Sequence, residues 1–309
     1  MSIVLPEGLP AGAVLAEEGF EVRWAPRSDG RTLRIGLLNL MPDKLATELQ
    51  FARLLASGPR EIELLLTVPA THQPRNTAAC HLGAFYRPWQ SVARQGLDGL
   101  IVTGAPVEQM PFEAVDYWPE LCRILDWARL QVRSGYYVCW GAQAALYRFH
   151  GIGKRVLPAK LSGLYGHHVT APESPLAAGL PARFVVPVSR HTESCIDGAA
   201  GTSSLVTVLA SAESGPCLVE DAGNRAVCVF NHFEYDADTL AREYRRDLAA
   251  GEAPSVPVNY FPGNDPDATP IKSWHFAAAA LFENWLASLD RVPRARPAAA
   301  TRLESPLSA

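Results

Sequence analysis

The sequence predicts an α/β fold: a mainly parallel sheet with helices on both faces, extended by extra strands. Three observations predict it. Short, near-continuous apolar runs alternate with segments whose apolar residues recur at helical spacing. The runs end on turn-forming residues and are apolar on both sides, as strands covered on both faces must be. The chain of 309 residues, 48% hydrophobic and 19% charged, is long enough for one large core.

The elements follow in order. LRIGLLNL (33–40) is a buried strand ending at the turn Met41-Pro42, and LATELQFARLLA (45–56) a helix. EIELLLTV (61–68) and DGLIVTG (98–104) are strands, the second stopped by Gly104 and Pro106. YWPELCRILDWARLQV (117–132) is an amphipathic helix that tolerates Pro119 in its first turn. GYYVCW (135–140) is a strand, and GAQAALYRFHG (141–151) a helix closed by Gly151. From 184 to 230 the runs FVVPVS, SLVTVLAS, PCLVE and AVCVF extend the sheet, partly antiparallel. Residues 237–251 and 273–289 are closing helices. Residues 1–30, rich in Gly, Pro and Ala, read as an arm packed on the surface of a domain spanning 31–290; the Pro/Ala/Arg-rich 291–309 reads as a disordered tail.

Bulk properties narrow the function. The net charge is −4 with no basic run, which argues against nucleic acid. No apolar stretch is long enough for a membrane helix, and the first residues lack the basic start and apolar core of a secretory signal; a cytoplasmic protein is expected. The six cysteines include no C-x-x-C pair, so they are expected as free thiols without a zinc knuckle.

The sharpest local feature is Tyr137-Val138-Cys139-Trp140-Gly141-Ala142. An apolar strand runs into Cys139 and a helix of small residues begins after it. A thiol on such an elbow is exposed at the strand's C-terminal end, and the helix N-terminus favours thiolate. Backbone N–H groups there can hold an oxyanion. The pattern fits a buried core cysteine equally well. The second feature is Val229-Phe230-Asn231-His232-Phe233-Glu234. On extended backbone His232 and Glu234 project to the same side, and a carboxylate beside an imidazole stabilises its charged form. An H-x-E pair alone is more often a surface pair. Both features, however, fall at strand C-termini, the rim where open α/β sheets place their sites. His150 and the His167-His168 doublet lack an acidic ligand at helical spacing, so no metal site is expected. Arg245 and Arg246 read as a solvated charged helix face, with the clamping of a substrate carboxylate as the alternative.

With these residues in place, the chain resembles the MetA-type homoserine O-acyltransferases of bacterial methionine synthesis. The resemblance covers about residues 30 to 290: IGLLNLMPDKLATELQFARLL, RNTAACHL-x-x-FY, DGLIVTGAPVE, VCWGAQAAL, KLSGLYGHH, SRHTE, TLAREYRRD, VPVNYF and LFENWL. It implies a fold similar to class I glutamine amidotransferase domains (flavodoxin-like), with no cofactor beyond acetyl-CoA or succinyl-CoA as co-substrate, and a homodimer. It implies that Cys139 takes the acyl group as a thioester, His232 is the base, Glu234 supports it, Lys160 and Ser189 contact substrate, and Arg246 binds the amino acid's carboxylate. That reverses the solvated reading of Arg246.

In this family the position held here by Glu108 separates the two acyl donors. Glycine leaves room for a succinyl carboxylate, whereas a glutamate repels one. Acetyl-CoA and homoserine are therefore the expected substrates, with succinyl-CoA as the alternative donor. Departures from the family pattern include Asp43 in MPDK, Val188 in PVSR, Asn231 and Phe233 around His232, and His275-Phe276-Ala277. They leave serine as an alternative acceptor, since one methylene discriminates by only about 1–3 kcal/mol. A cysteine hydrolase related to the amidotransferases is the competing class.

Overall fold

The structure is a computed structural model that describes residues 2–27, 32–72, 74, 76–196 and 204–293. In chain order the main elements are β1 (Ser2–Val4), α1 (Pro10–Glu17), β2 (Glu21–Arg23), β3 (Leu33–Leu38), α2 (Lys44–Ala56), β4 (Ile62–Val68), α3 (Ala79–Phe85), β5 (Arg87–Pro88), α4 (Trp89–Arg94) and β6 (Gly99–Val102). There follow α5 (Trp118–Gln131), β7 (Ser134–Val138), α6 (Trp140–His150), β8 (Lys154–Val169), β9 (Arg183–Ser194), β10 (Leu205–Ser211), β11 (Gly215–Asp221), β12 (Ala226–Val229), α7 (Thr239–Ala249) and α8 (His275–Leu289).

The strands form one sheet in the order β2-β1-β4-β3-β6-β7-β12-β11-β10-β8-β9, with β5 beside β4. Pairing is parallel from β2 to β12 and antiparallel from β12 to β9. The alternation of strand side chains assigns the faces. Ile101, Tyr136, Val138, Val227 and Val229 pack with α2 and α8 in one core. Leu100, Val102, Tyr137 and Cys228 pack with α5 and α6 in the other. This is the fold the sequence predicts.

Two regions differ from the expectation, and a third is not described. Over the described residues 2–27, the segment expected as a surface arm at 1–30 belongs to the sheet: β1 and β2 add parallel strands to its edge, with Ile3 and Leu15 fully buried. The two strands are three residues long, too short for alternation to reveal them. The 16-residue β8 has no counterpart in the sequence reading. Its pattern is interrupted by Pro158, Gly163 and Gly166 and by a register shift between Val156 and Leu161. Gly163 has φ 148, and the Val258 backbone lies against it, hydrogen-bonded to β8 on both sides (Val258 N to Ser162 O, 2.9 Å; Leu164 N to Val258 O, 2.7 Å). Only glycine fits there. The expected tail at 291–309 lies outside the described residues from 294 onward.

Candidate active site

Cys139 sits on the turn between β7 and α6 with φ 51 and ψ −116, a left-handed conformation unusual for a residue with a Cβ. Such strain costs about 1–3 kcal/mol and persists where surroundings enforce it. Here they do. The Cys139 N–H donates to Val229 O at 2.7 Å, and its carbonyl accepts from Ala142 N and Gln143 N at 3.0 and 3.1 Å. Gly141 lets the helix approach the neighbouring strand: a Cβ there would lie 2.7 Å from Thr103 O and 2.8 Å from Val102 O. Gly104 abuts Cys139 itself, whose Cβ lies 3.3 Å from where a Cβ on Gly104 would stand.

His232 arrives from β12, whose Val229 pairs with Val138 of β7. The segment after Phe230 is a bend and turn, not extended strand, so side-chain alternation is not what joins His232 to Glu234. The turn brings His232 Nδ1 to 2.6 Å from Glu234 Oε1, with both side chains buried. The other ring nitrogen, Nε2, is buried and makes no hydrogen bond of ordinary geometry. Burial opposes charging the imidazole, but Glu234 and the Cys139 sulfur beside it outweigh burial and hold the ring well above its ordinary value. Tyr235 stacks on the ring at 4.1 Å between centroids. The Cys139 sulfur also lies 3.9 Å from Ser189 O.

These groups open onto a cavity of about 210 Å³. Its lining includes Glu108, Cys139, Lys160, Ser189, His232 and Arg246, so six of the seven residues singled out by sequence meet in one place; Glu234 stands behind His232. At one end, Glu108 Oε2 accepts from His191 N at 2.9 Å. Lys154 Nζ donates to the Glu108 carbonyl and to Met110 O, anchoring that loop. At the other end, α7 supplies carboxylates. Lys160 Nζ meets Asp247 Oδ2 at 2.9 Å, and Arg246 meets Asp247 Oδ1 at 2.6 and 2.8 Å. Ser189 Oγ and Tyr235 OH donate to the two oxygens of Glu243 at 2.5 and 2.7 Å.

Sequence reasoning missed Glu243, Tyr235, His191 and Met41 among the lining residues. For Glu243 a signal existed: with Arg246 and Asp247 it recurs at i, i+3 and i+4 on one face of α7. Lys44 was likewise passed over. It is buried, donates to Asn39 O at 2.7 Å and Met41 O at 3.2 Å, and so shapes the Met41 wall. His150 Nε2 meets Asp221 Oδ2 at 2.6 Å, and His167 is buried while His168 is exposed. Arg245 donates outward to Pro266 O at 3.2 Å.

Residues 2–292 match the family described as homoserine O-succinyltransferase (HTS). The chain belongs to this family, the MetA-type homoserine O-acyltransferases. Among its similar relatives is a protein named homoserine O-acetyltransferase from Cereibacter sphaeroides, 50% identical over 289 residues, covering 93% of this chain and 95% of the relative. Another, of the same name, from Ruegeria sp., is 48% identical over 295 residues, covering 94% of each. The fold extends to more distant structures. A putative GMP synthase subunit from Thermoplasma acidophilum superposes with a TM-score of 0.51 at 12% identity, covering 84% of this chain and 94% of that one. A glutamine amidotransferase from Methylobacillus flagellatus gives 0.51 at 14%, covering 85% and 96%. The MetA-type chain therefore carries the class I glutamine amidotransferase-like fold, with β8–β11 as its antiparallel extension. Among the described residues no helix is long and apolar enough to cross a membrane.

Proposed function

We propose that this chain is a homoserine O-acetyltransferase working through a thioester on Cys139. The observation that carries the reading is the line of contacts from Glu234 through His232 toward the Cys139 elbow, opening on a cavity that holds Glu108 at one end and Arg246 at the other. In the first half-reaction His232 takes the thiol proton. The sulfur attacks the carbonyl of acetyl-CoA, and N–H groups at the elbow suit the oxyanion that forms. Coenzyme A leaves as a thiol with the proton from His232. In the second, the amino acid enters with its carboxylate toward Arg246. His232 takes the hydroxyl proton, the oxygen attacks the thioester, and Cys139 is regenerated. Glu234 stabilises the imidazolium in both halves. Glu108 supports acetyl over succinyl because a second carboxylate would meet it in a poorly solvated space.

The test separates the halves. Incubating the protein with acetyl-CoA alone should add one acetyl group by intact mass, mapped to Cys139, and homoserine should then discharge it. Release of ammonia from glutamine with no acylation of Cys139 would instead favour the hydrolase class. Discharge by serine in place of homoserine, or faster loading from succinyl-CoA, would correct the acceptor or the donor.

A further inference from the structure

Two features singled out in the sequence have no part in that mechanism: His167 of the histidine doublet, and Asn231, a departure from the family pattern. The structure joins them. Arg190 Nη1 lies 2.6 Å from Asn231 Oδ1. A guanidinium only donates, so this contact fixes the amide with its oxygen toward Arg190 and its NH₂ away. The NH₂ meets His167 Nε2 at 2.8 Å, so that nitrogen accepts and carries no proton. The far side of the ring agrees. His167 Nδ1 lies 2.8 Å from Tyr165 O, which only accepts, so Nδ1 carries the proton. Two independent ends thus assign the same neutral tautomer. Ser214 closes the circuit, its hydroxyl 3.3 Å from His167 Nε2 and its carbonyl accepting from Arg190 Nη2.

All four residues are at most 3% exposed. The circuit abuts the reacting pair from two sides. Asn231 is the residue before His232, whose own N–H donates to Pro187 O of β9 at 2.9 Å. Arg190 follows Ser189, whose carbonyl faces the Cys139 sulfur at 3.9 Å. The hydrogen bonds of Arg190 go to neutral oxygens, and its charge interacts with the Cys139 and Cys217 sulfurs and with Glu193 and Glu108. In a low-dielectric interior such contacts are strong and directional; Arg190 engages through Nη1 and Nη2, while its buried Nε makes no hydrogen bond among the described residues.

We propose that neutral His167, Asn231 and Arg190 form a directional hydrogen-bond relay that locks the His232 turn onto β9 and so sets His232 against Cys139. His167 and Asn231 are then positioning residues for the acyl transfer. The relay rests on the proposed function only for the identity of the reaction it serves.

Two readouts need no substrate. In ¹⁵N NMR of histidine-labelled protein, His167 should show the neutral Nδ1–H tautomer at pH 7; an Nε2–H tautomer or an imidazolium would overturn the assignment. Site-resolved alkylation of Cys139 by iodoacetamide should slow roughly ten-fold in Asn231→Gly, with kcat falling by about the same factor and KM for acetyl-CoA nearly unchanged. His167→Gln offers an oxygen where Nε2 stands and should keep most of the rate; His167→Phe should lose it. Wild-type alkylation and kcat in Asn231→Gly, or equal losses in the Gln and Phe variants, would refute the relay. If acetyl-CoA leaves no thioester on the wild-type protein, the functional reading fails while the tautomer and the alkylation rates still report on the relay.

Discussion

The proposed reacting pair and the proposed substrate contacts around the cavity are held by different means. Cys139 and His232 follow adjacent parallel strands, and main-chain contacts fix them: Val138 paired with Val229, Cys139 N to Val229 O, His232 N to Pro187 O. The substrate-facing set draws Glu108 from the loop after β6, Lys160 and Ser189 from the β8–β9 ribbon, and Arg246 from α7. Side chains hold it together, through Glu243, Asp247 and the His191 N–H. Main-chain geometry changes little when a side chain changes, whereas a side-chain cage is remade by one substitution. The reacting pair should therefore answer to substitution with loss of rate, and the substrate-facing set with a change of preference.

The largest effect is expected at the nucleophile. Cys139→Ser should lower kcat by at least ~10⁴-fold and abolish the acetylated species by intact mass, because the groups of such a unit fail together. Retention of full activity would remove the covalent scheme. Next comes Glu234→Gln. It preserves shape but removes the negative charge 2.6 Å from His232 Nδ1. A loss of about 10²–10³-fold in kcat is expected, within the span of general acid–base contributions. The imidazolium should also lose its proton at a lower pH than in the wild type, since Glu234 is a main cause of its raised value. Histidine NMR titration of the two proteins checks the second point independently of rate.

The same division explains what could be read from the sequence. Buried parallel strands are continuous apolar runs, so β3, β4, β6, β7 and β12 and the rim at Cys139 were legible from pattern alone. The link between His232 and Glu234 was anticipated for the wrong reason: a turn, rather than strand alternation, joins them. The substrate-facing set was opaque to pattern. Lys160 lies on an irregular strand, Ser189 on its partner, and Arg246 on a helix face that looked solvated until its neighbours were known. The Arg246 side chain is indeed 64% exposed, as the solvated reading expects, while still lining the cavity. Only resemblance pointed to these three. Glu243, which bonds to Ser189 and Tyr235, shares one face of α7 with Arg246 and Asp247, but that spacing marks a charged face without telling whether it meets a cavity or water.

The network behind His232 gives the third expectation, on stability. Burial pushes His167 down to about 4, from an ordinary 6.5. The groups facing it are the Tyr165 carbonyl, which opposes the shift; Arg190 and His168, which add to it; and the uncharged Asn231, Ser214 and Phe184. Between these two values the unfolded chain binds a proton that the folded chain does not, so stability is intact at neutral pH and falls as pH drops through 6.5 toward 4. The loss approaches roughly 3 kcal/mol at the acid end. Urea denaturation from pH 7 to pH 4 should show it, and His167→Gln should remove that part of the slope. An unchanged slope in the variant would mean that His167 titrates normally.

The smallest expected effect, and the one that most sharpens the contrast, is at Glu108. Its carboxylate accepts from the His191 N–H at 2.9 Å and from the Thr192 hydroxyl at 3.3 Å, so it lies held against the cavity wall. Glu108→Gly removes the negative charge, opens space, and frees the His191 N–H toward the cavity. That donor could then bind the carboxylate of a succinyl group, replacing repulsion with a hydrogen bond. The ratio of kcat/KM for succinyl-CoA to that for acetyl-CoA should rise about 5- to 150-fold, equivalent to about 1–3 kcal/mol. Cys139 alkylation should stay at the wild-type rate, because the main-chain frame that holds the thiol is untouched. A wild-type protein that already prefers succinyl-CoA would contradict the acyl-pocket assignment. So would a ratio that does not move. A slowed alkylation would show instead that the two sets are not independent.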